Sequence, residues 1–310
     1  MKKKVLIAVD GSRQSENALR YAALYDHPED EREYVLFHVQ PTISQYLVDE
    51  ARFKPKARAE LNKLKQRSEA AGRSLLDDCR SQLIDLGVAE NRIQQLTLPR
   101  QVGVAKDILA YGTAMLYDAI LIGRRGLSGL AELVMGSVSA NLVDYSELIP
   151  IWMVDGKIDS RDVMLAVDGS NSALRAVDHM AFILGNAADV KITFYHVAPR
   201  LNDYCPVDFE DDGYDALQEA IREGDQACID RFFAHARQKL EAMGIGEDRI
   251  HIDSREGVLR VGKSILKAYR EGGYGTLIIG RRGMDKKFFT GSVSRYLINH
   301  FSDGALWVVP

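Results

Sequence analysis

The chain has little cysteine, little net charge and no long apolar run, and each shortage removes a class of protein. Cys79, Cys205 and Cys228 are the three cysteines in 310 residues. Widely spaced and odd in number, they suggest neither a disulfide framework nor a metal cluster, and they point to a reducing, cytoplasmic setting. A net charge of −4 gives no footing for nucleic acid as a partner. The apolar runs are about strand length, so no membrane span is expected. The opening Met1-Lys-Lys-Lys4 resembles the charged region of a signal peptide. The apolar run Val5 to Val9 is too short for one, however, and Asp10 ends it, so a first strand is expected there. What is present is 46% hydrophobic and 27% charged, a globular composition, and the length suggests two ordinary domains.

Val5 to Val9 runs into Asp10-Gly-Ser12, where Asp10 or Ser12 is placed to cap a following helix whose Ala18, Tyr21, Ala22 and Tyr25 share a face. Tyr34 to Val39 is a second strand, and Gln40 to about Pro55 is expected to be a loop. Ala57 to Leu86 forms a long, charged helix with apolar positions at Leu61, Leu64, Leu75, Leu76, Cys79 and Leu83. Its many charges are better explained as a solvated face than as a binding patch. Arg92 to Leu98, Asp118 to Ile122 and Pro150 to Val154 complete five strands, with helices at Val104 to Leu116 and after Gly136.

The chain is organised around Ala119-Ile-Leu-Ile-Gly123-Arg-Arg-Gly126, followed by nine residues and then Gly136-Ser-Val-Ser139. The two glycines let the backbone leave a strand sharply and lie close to something. Ser137 or Ser139 is a candidate cap for the next helix. Backbone amides at a helix start, hydroxyls and two arginines make a plausible anion pocket. The alternative is a Gly-rich turn that binds nothing.

The pattern occurs twice. Past a polar joint at Asp155 to Ser160, Val163 to Ser170 repeats Val5 to Ser12, and Tyr195-His-Val197 repeats Phe37-His-Val39. Tyr274 to Gly283 then repeats Tyr117 to Gly126, and Leu306 to Val309 repeats Ile151 to Val154. Two copies of one domain are therefore expected, at 1–156 and 160–310. Alternating strands and helices make each a five-stranded parallel open sheet with helices on both faces. Ligands of such sheets sit beyond the carboxyl ends of the strands, where Asp10, Val39 and Gly123 lie. Ile151 to Val154 and Leu306 to Val309, with Trp152 and Trp307, would be exposed edges in isolated domains. Antiparallel pairing of these strands in an internal pseudo-dimer would cover them.

Ala8-Val-Asp-Gly-Ser12, the His38-Val39 strand end, Gly-x-x-Gly with nine residues to Gly-Ser, and the closing apolar strand resemble the universal stress protein family. The resemblance covers nearly the whole chain, twice. It implies a Rossmann-like, adenine nucleotide alpha hydrolase-like fold and an ATP site in a stress-response regulator or adaptor. In the first half the implied site residues are Ala8, Val9, Asp10, Val39, Gly123, Arg124, Arg125, Gly126, Gly136, Ser137, Val138 and Ser139. In the second they are Asp168, Val197, Gly280, Arg281, Gly283, Gly291, Ser292, Val293 and Ser294. Asp10 and the Val39 backbone are implied to hold adenine and ribose, and the glycine motif the ribose and phosphates. The second half departs from the pattern, with seven residues between Gly283 and Gly291, among them Lys286 and Lys287. Rival readings are a slow ATP hydrolase or nucleotidyl transferase, with Asp10 helping to hold a magnesium ion, or an adaptor whose pockets are empty remnants. A further homodimer and a protein client are also compatible with the sequence.

Gly257-Val-Leu-Arg-Val-Gly262-Lys263-Ser264 satisfies the P-loop pattern. The first half has no equivalent at Val102 to Asp107, and the following strand ends in Gly280 rather than in a magnesium-holding acid. Val258, Leu259, Val261 and Ile265 are also spaced for the inward face of a helix, so the match is read as coincidence. His38 and His196 occupy matching strands and are expected to be satisfied by backbone or a polar neighbour. His27, His179, His235, His251 and His300 lack metal-ligand spacing.

Overall fold

The computed structural model describes residues 2–27, 31–124, 135–185, 187, 189–198, 213–281 and 292–310. The chain divides into two compact units, Met1–Lys157 and Ile158–Pro310.

In the first unit the order is β1 (Lys3–Ala8), α1 (Arg13–Leu24), β2 (Arg32–Gln40), α2 (Gln45–Phe53), α3 (Pro55–Asp85), β3 (Ile93–Pro99), α4 (Val104–Ala114), β4 (Ala119–Gly123), α5 (Ser137–Tyr145) and β5 (Ile151–Asp155). The strands pair in parallel in the order β3-β2-β1-β4-β5. Val5, Leu6 and Ile7 on β1, and Ala119, Ile120 and Leu121 on β4, are completely buried. Such unbroken apolar runs are what a parallel sheet covered on both faces requires. Right-handed crossovers from β1 to β2 to β3 put α1 and α3 on one face, and the return through β4 to β5 puts α4 and α5 on the other. The contacts of α1 with α3 and of α4 with α5 agree with this.

The second unit repeats the plan with β6 (Val163–Val167), α6 (Asn171–Leu184), β7 (Ile192–Val197), α7 (Gly213–Ala242), β8 (Ile250–Arg255), α8 (Val261–Glu271), β9 (Thr276–Gly280), α9 (Ser292–His300) and β10 (Gly304–Val309). Its strands are parallel in the order β8-β7-β6-β9-β10. In each unit the strand order reverses beside the first strand, which opens a crevice at the carboxyl ends of β1 and β4, or of β6 and β9.

One expectation fails here. The stretch from Gln40 to Pro55 is not all loop, because α2 occupies Gln45–Phe53. That helix hides itself in the sequence: Ala51 is its one buried residue, Tyr46 and Phe53 are exposed, and Ser44 makes no capping bond. No apolar stripe announces it.

Candidate functional site

The crevice of the first unit is built at three chain turns. At the end of β1, Asp10 Oδ1 accepts from the Ser12 amide at 3.0 Å, across a Gly11 held at φ +78°. Only glycine adopts that conformation cheaply. Ser12, not Asp10, caps α1: its Oγ accepts from Ser15 N at 3.2 Å. At the end of β2, His38 Nδ1 lies 3.0 Å from the Val9 carbonyl. A carbonyl only accepts, so this nitrogen carries the proton and ties β2 to β1. The reading of His38 as satisfied by backbone fits this bond.

The third turn follows β4. A Cβ on Gly123 would lie 2.6 Å from Gln14 Cβ and 2.7 Å from the Gln14 carbonyl carbon. This glycine is thus set by the close approach of α1 to the strand end. Ser139 Oγ donates to the Gly123 carbonyl at 3.0 Å, and the Gly136 amide donates to the Arg124 carbonyl at 3.1 Å. Neither serine caps α5. Its N-cap is Gly136, which supplies no side chain, while the Ser139 hydroxyl is used across the turn. The first-turn amides of α5 are therefore not met by a side-chain cap.

These turns enclose a cavity of about 210 Å³ lined by Ala8, Val9, Asp10, Val39, Gly123 and Gly136 to Ser139. Its remaining wall comes from residues absent from the sequence-derived set. Val104 and Ile108, four apart on α4, present one apolar face, and Ser12, Ser15, Phe37, His38 and Ile122 complete it. The spacing of Val104 and Ile108 was the available signal for that wall.

Arg124 stands apart. Its guanidinium is buried and pairs with the buried Asp155 carboxylate, Nη1 to Oδ2 3.3 Å, at the end of β5. Held there it is not presented to an anion, and its part in the crevice is its backbone, whose amide donates to Val154 O at 2.8 Å. Arg125 and Gly126 lie outside the described residues.

In the second unit Asp168 Oδ1 accepts from Ser170 N at 3.1 Å, Ser170 Oγ accepts from Ala173 N at 3.1 Å, and Ser294 Oγ donates to Gly280 O at 2.9 Å. A Cβ on Gly280 would lie 2.9 Å from the Ser172 carbonyl carbon, so α6 crowds this strand end as α1 crowds Gly123. Val197 ends β7, and Ser292 and Val293 open α9. The side chain of Arg281 is 2% exposed, buried like that of Arg124. His196 differs from His38. Besides the 3.1 Å contact of Nδ1 with Val167 O, its Nε2 meets Asp225 Oδ2 at 2.9 Å. Gly283 and Gly291 lie outside the described residues.

The P-loop look-alike has a different explanation. Helix α8 starts at Val261, and the Ser264 amide donates to Arg260 O at 3.0 Å, so that amide is spent within the helix. Gly262 is there for packing, since a Cβ would come within 2.4 Å of the Tyr296 ring on α9. Lys263 is exposed. The expected inward face fails at two positions: Val258 and Leu259 both precede the helix, and Leu259 is 80% exposed. Among the described residues no cluster of three or more His, Cys, Asp or Glu side chains is arranged to hold a metal ion. No described helix is long and apolar enough to cross a membrane.

A model of the universal stress protein family matches residues 1–155 and again residues 160–309. A universal stress protein of Mycolicibacterium smegmatis is 25% identical over 213 residues, 66% of each chain. Universal stress protein YxiE of Bacillus subtilis is 27% identical over 156 residues, covering 46% of this chain and 93% of its own. Among solved structures, a universal stress protein from Archaeoglobus fulgidus superposes with a TM-score of 0.60 at 17% identity, covering 99% of this chain and 97% of that one. The functionally unknown protein PA1789 of Pseudomonas aeruginosa gives 0.59 at 14% identity, covering 99% and 92%.

Proposed function

The chain belongs to the universal stress protein family, with one copy of the domain in each half, and from that premise we propose that its first half binds ATP in the cavity at the carboxyl ends of β1 and β4. The observation that carries this reading is convergence. Residues far apart in sequence, Asp10, Val39, Gly123 and Gly136 to Ser139, line one cavity beside an uncapped helix start. The chemistry fits the parts of a nucleotide. Asp10 accepts hydrogen bonds from ribose hydroxyls, the apolar wall of Val9, Val104 and Ile108 receives the adenine, and the amides of Ser137 and Val138 face phosphate oxygens. Arg124 takes no part in phosphate binding, because Asp155 already holds it. In the rival hydrolase reading, Asp10, which lines the cavity, would instead help to hold a magnesium ion that accompanies the triphosphate.

In this reading the nucleotide acts as a bound switch in a stress-response regulator or adaptor. The second half carries the same framework at Asp168, Gly280 and Ser294, so a second, weaker site belongs to the proposal. The test is the nucleotide released when purified protein is denatured. One to two equivalents of adenine nucleotide per chain support the proposal, and a nucleotide-free protein that also fails to bind added ATP rejects it. Turnover of bound ATP would move the assignment to a slow hydrolase.

A further inference from the structure

The two copies differ at one place on the sheet face beneath α4 and its counterpart α8. In the first half the Tyr111 ring on α4 stacks on Phe37 (centroids 4.9 Å, 26° between planes) and leans on Tyr117 (5.9 Å, 38°). Leu96 lies in register with Phe37 on β3, and Leu98 follows on the same strand. The second half keeps the outer rings and removes the middle one. Counting back from the matching Tyr117 and Tyr274, the residue at the place of Tyr111 is Ala268. Tyr195 replaces Phe37, in register with Asp253 where the first half has Leu96, and Arg255 takes the place of Leu98.

The lost ring leaves a space. An open cleft of about 450 Å³ is lined by Tyr195, Ser264, Ala268 and Tyr274, and in it the Tyr195 hydroxyl meets Ser264 Oγ at 2.7 Å. The Tyr274 ring lies over Gly272, where a Cβ would come within 2.2 Å of it. The charged lining consists of Asp253, Glu256 and Glu271 against Arg255 and Lys267. Arg255 pairs with Asp253 (2.8 Å) and Lys267 with Glu271 (3.8 Å). Glu256 is the carboxylate outside these pairs, so the cavity carries one surplus negative charge. A substitution that only softened the core would have left the walls apolar. Here the same spot is both hollowed and made polar.

We propose that this cavity is a ligand site for a single-ring phenolic amine, whose ring takes the place that Tyr111 fills in the first half. The ring stacks against Tyr195 and Tyr274, its hydroxyl joins the Tyr195–Ser264 pair, and its ammonium lies toward Glu256. The probe is tyramine, titrated by calorimetry into the full-length protein, with 4-hydroxyphenylacetate as the partner that keeps the ring and reverses the charge. Tyramine should bind about two- to fivefold more tightly than 4-hydroxyphenylacetate, the worth of one solvent-exposed ion pair. Ala268→Tyr, which rebuilds the first half's arrangement, should abolish binding while the melting temperature holds or rises. Should that variant not fold, Glu256→Gln changes only an exposed side chain and should erase the preference for tyramine. Failure of tyramine to bind at millimolar concentration would overturn the proposal. So would unchanged binding in folded Ala268→Tyr, or an intact preference in Glu256→Gln.

Discussion

Replacing Asp10 separates two tasks of one carboxylate. Its Oδ1 accepts from Ser12 N at 3.0 Å, fixing the turn that leads into α1, and the side chain also lines the cavity proposed for ATP. Asp10→Ala removes both. Loss of one partly buried backbone bond is worth about 0.5–1.5 kcal/mol of stability, and loss of a charged hydrogen-bond partner for the ribose about 1.5–3 kcal/mol of binding. The latter is an affinity loss of about 10- to 150-fold. Asp10→Asn keeps a carbonyl oxygen for Ser12 N and surrenders only the charge. Its melting temperature should stay near wild type while its ATP affinity falls to a value between wild type and alanine. Thermal denaturation and calorimetric ATP titration of the three proteins read the two tasks separately. If the asparagine variant melted as low as alanine yet bound ATP normally, the division of labour would be refuted. Equal ATP affinity in all three would reject the site itself.

Gly136 has φ −61°, a conformation open to any residue, so Gly136→Val should fold and still block the cavity, which calorimetry would register as absent ATP binding. Lys263→Ala in the full chain should leave both the affinity, within about twofold, and the stoichiometry of ATP binding as in wild type, because the residue is an exposed position of a packed helix; loss of one bound equivalent per chain would restore the P-loop reading. Asp118 Oδ2 accepts from Lys4 N at 2.7 Å, and burial pushes its pKa up against the pull of Lys4. A raised folded-state pKa means that the folded chain holds the proton more tightly, so its charge costs stability as pH rises through the ordinary carboxylate range. Asp118→Asn should therefore melt above wild type at neutral pH, with the gain disappearing below about pH 4.

The sheets were legible because parallel strands buried on both faces cannot disguise themselves. Val5 to Val9 and Ala119 to Ile122 have few alternatives, and their repetition gave the doubled architecture as well. The strand-end and glycine-motif positions of the first cavity were legible through the family likeness and through the placing of strand ends, whereas its wall at Val104 and Ile108 was not. Side-chain allegiance was not. Arg124 reads as an anion ligand until Asp155, which is 31 residues away, is found against it. Ser139 reads as a cap until its hydroxyl is seen bonded to Gly123 O. Helix α2 escaped notice because it buries almost nothing, and Gly262 imitated a phosphate loop because packing against Tyr296 makes the same demand for a missing side chain.

The bonds from Ser139 to Gly123 and from Gly136 to Arg124 act as a neck, tying together the two ends of the segment between Arg124 and Gly136. Ser294 ties Gly280 in the same way. Once a neck is fastened, the length above it matters little. Closure entropy grows only with the logarithm of length, so the difference between eleven residues after Arg124 and nine after Arg281 is worth about 0.2 kcal/mol. The fold is therefore nearly indifferent to insertions and deletions there. The two copies accordingly differ in the length of this segment, and in Lys286 and Lys287, over sheets of the same strand order.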